Sequence, residues 1–311
     1  MTISGFSMGR NVSKLYYPIK ASIESILPIV DEFVFALGDN DKDDSTEAII
    51  KSIKSDKLKI IRTKWDLEKY PNGMENAHQT DIAKSHCKGD WLIYLQADEV
   101  IHENYLDNIK SACEIHLENK HIDAFLLKYM HFFGDYNHYN DGRGWYQNEI
   151  RIIRNDSEIH SFQSAQSFRR IPDFDGLSYR KKEGTSKLNV IPINAFVYHY
   201  GWVRPPQLMQ KKKIALDKIH SHNSSETDPN IFNYGPIGCL PKFKGTHPKV
   251  MKDWIEQFNW KDQLNYGCEY QLNRLPMKHE KLEYRMLRWI EKTFNRGIHL
   301  FPFTNWNIVK P

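Results

Sequence analysis

The first hundred residues alternate between two periodicities, and this restricts the possible folds more than any other feature of the chain. Runs at 2–8, 32–37 (EFVFAL), 58–61 and 91–95 (WLIYL) read as strands, and EFVFAL, β-branched and aromatic, has the pattern of a buried one. Between them, Ile19, Ile23 and Ile26 recur at helical spacing until Pro28 stops the helix. Asp44-Ser45-Thr46-Glu47 resembles a capping box ahead of Ala48, Ile49, Ile50 and Ile53, and residues 77–85 read as a further helix. Strand-helix-strand repetition at this spacing predicts an α/β fold whose mostly parallel sheet carries helices on both faces.

Beyond Asp98 the pattern loosens. A helix is predicted over 105–117 and strands over 125–133, 149–153 and 195–200. Residues 134–145 (GDYNHYNDGRGW) form a polar, Gly-rich stretch of the kind that carries function. From Pro205 the chain reads as mainly helical with aromatic-rich loops. No repeat or low-complexity linker interrupts it, so the expected organisation is a first domain over 1–204 and a helical extension over 205–311 packed on it.

Charge excludes some partners. With 43 basic and 39 acidic residues the net charge is +4, too mixed for a nucleic-acid protein. The run Lys211-Lys212-Lys213 reads as a solvated helix face. No stretch reaches the roughly 18 apolar residues of a membrane span, and the N-terminus lacks the basic-then-apolar pattern of a signal peptide. Cys87, Cys113, Cys239 and Cys268 are scattered without C-x-x-C spacing, which argues against structural zinc or a disulfide framework and for a reducing, cytoplasmic interior. The sequons at Asn11, Asn155 and Asn223 would then have no use.

Chemistry is expected at the carboxyl ends of the strands, where open α/β sheets bind ligands. Acidic clusters fall at two such ends: Gly38-Asp39-Asn40-Asp41 after EFVFAL, and Gln96-Ala97-Asp98-Glu99 after WLIYL. One cluster alone would be read as a turn or helix cap; two on neighbouring units of one sheet point to a site.

The ordered set of these pieces resembles family 2 glycosyltransferases of the GT-A (Rossmann-like) fold. It comprises Arg10-Asn11, Ser25-Ile26-Leu27-Pro28, Ala36-Leu37-Gly38-Asp39, Gln79-Thr80-Asp81 and the run from Gly89 to Glu99. Downstream, Tyr198-His199-Tyr200-Gly201-Trp202 and Phe243-Lys244-Gly245-Thr246-His247-Pro248 resemble a bacterial subgroup. The resemblance implies a donor half over 1–103 and an acceptor half over 104–204. A nucleotide-diphosphate sugar, with uridine the commonest nucleoside, would be held by Ser7, Arg10, Asp39, Gln79, Gln96 and Arg204. Asp98 becomes the metal-facing acid of a D-x-D motif, with His199 as a further ligand or a satisfied buried histidine, and Mn²⁺ or Mg²⁺ as the ion. The acceptor would be a glycan or a lipid-linked molecule, the enzyme at most peripheral to a membrane, and the reaction inverting.

The chain departs from that pattern twice. Gln96 stands where the motif's first acid is expected, and an amide is a poor ligand for a hard metal. A metal-free variant, with Arg204 or Lys211 neutralising the diphosphate, therefore stays open. Gln163-Ser164-Ala165-Gln166 holds no carboxylate where relatives place an acid after a strand. The expected general base is then Glu149, with a plain pairing to Arg151 or Arg154 as its structural alternative, or else Asp141. The competing readings are a GT-A-like binding protein without catalysis and a sugar nucleotidyltransferase. The latter is disfavoured because Gly5 to Arg10 lacks a Gly-rich phosphate loop.

Overall fold

The computed structural model describes residues 1–220, 230–270, 272–302 and 304–310; Asn223 lies outside the described residues. In chain order the first elements are β1 (Ile3–Gly9), α1 (Ile19–Ile26), β2 (Glu32–Leu37), α2 (Thr46–Lys51), β3 (Leu58–Arg62), α3 (Met74–Ser85), β4 (Trp91–Tyr94), β5 (Glu99–Ile101) and α4 (Leu106–Ile115). Then come β6 (Ala124–Phe133), β7 (Asn148–Arg154), β8 (Ile159–Phe162), β9 (Ser167–Arg170), β10 (Leu188–Trp202), α5 (Pro206–Ile219), α6 (Lys252–Glu256), α7 (Leu282–Phe294) and β11 (Trp306–Ile308).

Every residue of β2 is buried, and its side chains divide between two cores. Phe33, Phe35 and Leu37 pack with Ile19, Ile23 and Ile26 of α1, Ile50 of α2 and Ile109 of α4. Val34 and Ala36 turn to the opposite face, towards Ala83 of α3 and Phe168 of the β8–β9 hairpin. Trp91 and Ile93 against Leu92 and Tyr94 repeat the division in β4. A strand with two apolar faces requires cover on both, and the expected mostly parallel sheet with helices on both faces is present.

The strand order is β11-β10-β6-β7-β4-β1-β2-β3, with β5 paired to β10. Within this sheet antiparallel pairing is confined to β7, against β4 and β6, and to β5 against β10, while β8 and β9 form a separate antiparallel pair. The chain lays β2 and β3 on one side of β1, then crosses back to place β4 on the other. The carboxyl ends of β1 and β4 therefore flank a topological switch point, where sheets of this kind bind ligands.

Several local expectations are corrected. The capping box does not form: Ser45 makes no side-chain cap bond, Asp44 accepts from Thr46 N at 2.9 Å, and Glu47 pairs with Lys51 and Arg62 instead. The extension after 204 contains α5, α6 and α7, but long irregular stretches separate them and β11 returns to the sheet beside β10. These stretches are held by an aromatic cluster that includes Phe132, Phe133, Tyr136, Trp145, Tyr234 and Trp260. The Gly-rich stretch 134–145 is mostly buried within it. Trp260 Nε1 donates to Gly134 O at 2.9 Å, and Asp135 accepts from the amides of Asn137 and His138. This loop anchors the extension, which explains its length without a ligand. Contrary to the cysteine reading, Cys239 and Cys268 form a disulfide within the extension, Cα atoms 5.2 Å apart, whereas Cys87 and Cys113 are buried thiols. Among the described residues no helix is long and apolar enough to cross a membrane.

Candidate active site

A cleft of about 280 Å³ opens at the switch point. Met8, Gly9 and Arg10 reach it from the end of β1, and Gln96, Ala97 and Asp98 from the end of β4. Trp65 follows β3, Asn76 lies in the first turn of α3, Ser164 sits in the β8–β9 turn, and His199, Lys212 and His220 come from β10 and α5 and its end. The sides are drawn together at Gly73, whose N donates to Ile219 O at 2.9 Å. Its φ of +81° suits glycine, and a Cβ there would lie 2.4 Å from the His220 ring.

Asp98 and His199 are distant in sequence but adjacent in space because β5 pairs with β10 in the register Glu99↔His199. Tyr200 N also donates to Asp98 O at 2.8 Å. Gly201 permits the approach, since a Cβ at that position would stand 2.5 Å from both Asp98 Oδ2 and His199 Nε2. Lys212 Nζ donates to Asp98 Oδ2 at 3.1 Å and to Gly201 O at 2.8 Å. Burial opposes ionisation of Asp98, but the charges of Lys212 and Arg204 outweigh it and hold the carboxyl well below the usual range. Burial also lowers Lys212, helped by Arg204 and resisted by Asp98, to about 8. Lys212 is thus no part of a solvated face.

Hydrogen bonding fixes the protonation of His199. His131 Nε2 faces the carbonyl of Tyr146 at 2.8 Å, and a carbonyl can only accept, so that nitrogen carries the proton. Burial and the neighbouring His199 push the pKa of His131 down to about 3, so the ring is neutral and its Nδ1 is an acceptor. His199 Nδ1, 3.0 Å away, is then the donor. His199 is itself held near 4 by burial, so its Nε2 keeps a free lone pair, 3.7 Å from Asp98 Oδ2.

At the opposite side of the cleft, Arg10 Nε donates to Asp39 O at 3.0 Å and lies 3.4 Å from Asp39 Oδ1. The same Oδ1 accepts from Trp65 N at 3.1 Å. Gln79 is buried behind this corner and donates to Glu75 Oε1 at 2.6 Å. Burial raises Glu75 to about 7, and neither Glu75 Oε2 nor Gln79 Oε1 has a partner among the described residues. Gln96 Nε2 donates to Ala165 O at 3.1 Å, fastening the strand end to the β8–β9 turn.

Of the residues expected in the site, Arg10, Gln96, Asp98 and His199 line the cleft, and Asp39 adjoins it through Arg10 and Trp65. Ser7 is buried within β1 and does not line it. Arg204 is also buried, behind Tyr17, with its guanidinium 4.6 Å from that ring and with Nε and Nη2 unpartnered among the described residues. Lys211 is exposed. Neither expected base lines the cleft. Asp141 is held by Arg288 at 2.7 Å and Lys292 at 3.1 Å, fastening α7 to the 134–145 loop. Glu149 is enclosed in β7, raised to about 7 by burial, and accepts from Ile150 N.

Arg151 is not the partner of Glu149, because it makes a two-pronged bond with Glu99, 2.8 Å at each prong. Glu99 in turn accepts from Gln96 N at 3.0 Å, closing the turn that presents Asp98. Trp65, Asn76, Ser164, Lys212 and His220 were not anticipated from the sequence. Lys212 had a usable signal. It stands three residues after Met209 and four before Leu216, on the inward stripe of α5, so helical spacing separates it from exposed Lys211.

No family model and no curated protein matches the chain. Among solved structures, S. aureus TarS 1-349 is similar at 16% identity over 73% of this chain and 67% of that one, with a TM-score of 0.39. S. aureus TarS without that truncation aligns at 17% identity and TM-score 0.39, and the chain spans only 39% of it. Glucosyl-3-phosphoglycerate synthase from Mycobacterium tuberculosis, in complex with Mn²⁺, UDP and glucosyl-3-phosphoglycerate, aligns at 18% identity over 43% of this chain and 45% of that one, with a TM-score of 0.28.

Proposed function

We propose that this chain is a glycosyltransferase that takes a sugar from a nucleoside-diphosphate donor, with uridine as the nucleoside, and passes it to a hydroxyl of a glycan or lipid-linked acceptor. One observation supports the reading above the others. A buried carboxylate, an imidazole lone pair and a buried ammonium converge in the cleft at the switch point of the sheet. Asp39 and Arg10 take the nucleoside end, and Asp98, His199 and Lys212 the diphosphate end.

Displacement at the anomeric carbon forms one carbon–oxygen bond as the bond to the diphosphate breaks, and the leaving group gains negative charge. Lys212 meets that charge at a point fixed by Asp98 and Gly201 O, in a buried setting where a cation acts more strongly than in water. Arg204 adds positive potential from behind Tyr17. Asp98 Oδ2 and the free Nε2 of His199 fit two positions of a divalent cation, with other ligands from the diphosphate and water. Such an ion, Mn²⁺ or Mg²⁺, would supply Lewis-acid stabilisation of the leaving group. Asp98 is the one carboxylate among the described cleft-lining residues, and Lys212 engages it. With no other carboxylate there to act as base, the acceptor hydroxyl attacks from the face opposite the diphosphate, with inversion at the anomeric carbon, and its proton is assigned to water.

The shortage of carboxylates also favours the main competing reading, a binding protein without catalysis. Incubation with a panel of nucleotide sugars and candidate acceptors, with and without Mn²⁺, separates the two. Transfer releases free nucleoside diphosphate; a nucleotidyltransferase would exchange pyrophosphate instead. Donor binding with no release under any condition would leave only the binding reading.

A further inference from the structure

Helix α7 is inside out. Its inward side holds Glu291, fully buried, and Arg288, whose side chain is 11% exposed. Glu291 pairs with Arg143 and accepts from Leu300 N, while Arg288 pairs with Asp141 and donates to Gly297 O. The outward side is apolar. Leu282, Met286, Trp289, Ile290 and Phe294 recur at the i, i+4, i+7, i+8 and i+12 positions of one stripe, with exposures of 66, 59, 63, 39 and 75%. Ile298 and Phe301 continue the patch beyond the helix, the latter 95% exposed. Polar groups inside and apolar groups outside is the reverse of a helix that packs on a core, and contiguous exposed apolar surface of this kind marks an interaction site.

The charges beside the stripe indicate its partner. Lys281, Arg285 and Lys292 lie along one flank and Arg296 follows the helix, all exposed. Arg285 stacks on Tyr270 and Lys292 reaches Asp141, but both keep their charge at the surface. Glu283 is the one outward acid of α7, since Glu291 is buried. A second copy laid on this face would bring basic flanks together, whereas a bilayer with anionic headgroups would neutralise them while its acyl boundary takes up the stripe. We propose that α7 is an in-plane anchor that docks this protein on an anionic lipid surface. The anchor does not depend on the reading of the cleft.

The test is co-sedimentation of the full chain with vesicles of phosphatidylcholine, alone or mixed with phosphatidylglycerol, at low and high salt. The expected result is binding to the mixed vesicles, weakened by salt and feeble on phosphatidylcholine alone. Met286→Glu with Trp289→Glu should abolish binding without lowering the melting temperature, since both side chains face out. Lys281→Glu with Arg285→Glu keeps the stripe and should weaken binding by roughly 20-fold or more, at about fivefold for each charge lost. Absence of binding to mixed vesicles at low salt would overturn the proposal, as would binding that survives the Met286 and Trp289 substitutions. Sedimentation as a dimer in solution, lost in the same double variant, would overturn it in favour of self-association.

Discussion

The switch-point cleft and the outer face of α7 both reverse the usual distribution of polarity, in opposite senses. The cleft buries a carboxylate and an ammonium that water would otherwise solvate, with the Arg204 guanidinium buried behind them. The helix exposes leucine, methionine, tryptophan and phenylalanine that a core would otherwise take. Each arrangement is costly in the isolated chain, and under the two proposals each is relieved by a ligand of matching chemistry: an anionic diphosphate in one case, a lipid surface in the other. The Glu99–Arg151 pair shows what buried charge looks like when it is satisfied within the protein, with two prongs and further bonds to Glu99 from Tyr129 and from Gln96 N.

Arg151→Met tests that contrast with the largest expected effect. It leaves Glu99 buried without its partner and should cost about 3–5 kcal/mol of stability, read as the denaturation midpoint. A loss below about 1 kcal/mol would mean that the pair contributes little beyond an ordinary surface bridge. Asp98→Asn comes next. It should reduce transfer at least about a hundredfold if the charge holds a Lewis acid or Lys212 against the diphosphate, and full activity would remove both roles.

Lys212 offers a sharper test through pH. Its ammonium is needed charged and its pKa is depressed to about 8, so kcat/KM, which reports the free enzyme, should be maintained below pH 8 and fall above it. Lys212→Arg stays charged throughout, so its residual activity should lack the alkaline fall. An unchanged alkaline limb in that variant would assign the ionisation to another group.

The smallest effect is expected at Glu149. Burial raises its carboxyl to about 7, so it contributes stability below its unfolded pKa that is lost as pH rises through 7. Glu149→Gln should flatten the fall in melting temperature across that window and leave transfer within a few-fold of wild type. A loss on the order of 10²–10⁴-fold in kcat with donor binding intact would restore Glu149 as the general base.

How much of this was legible depended on whether a signal was local. The strands of the first hundred residues announced themselves because burial on two faces demands continuous apolar runs, as at 32–37 and 91–95. Asp98 and Gln96 could be placed at the cleft because strand ends in a parallel sheet share one edge, and Arg10 through the family resemblance. Ser164 and Trp65 could not, since they reach the cleft through turns set by long-range packing. The 134–145 loop misled for a related reason: its glycines and polar groups serve buried turns against an aromatic extension, which composition does not separate from a ligand loop. The outward stripe of α7 is periodic in sequence, but periodicity does not reveal which side of a helix faces the protein.

The central claim is that the cleft takes a nucleoside diphosphate, and ligand-dependent melting tests it most directly. A ligand that binds only the native state at a hundredfold excess over Kd adds about 2.7 kcal/mol, a rise of a few degrees for a chain of this length. UDP should produce that rise, Mn²⁺ should enlarge it, and Asp98→Asn should remove the enlargement while leaving the nucleoside contacts of Asp39 and Arg10 in place. If no nucleoside diphosphate or nucleotide sugar shifts the melting temperature, with or without metal, the cleft is not a donor site and the glycosyltransferase reading fails.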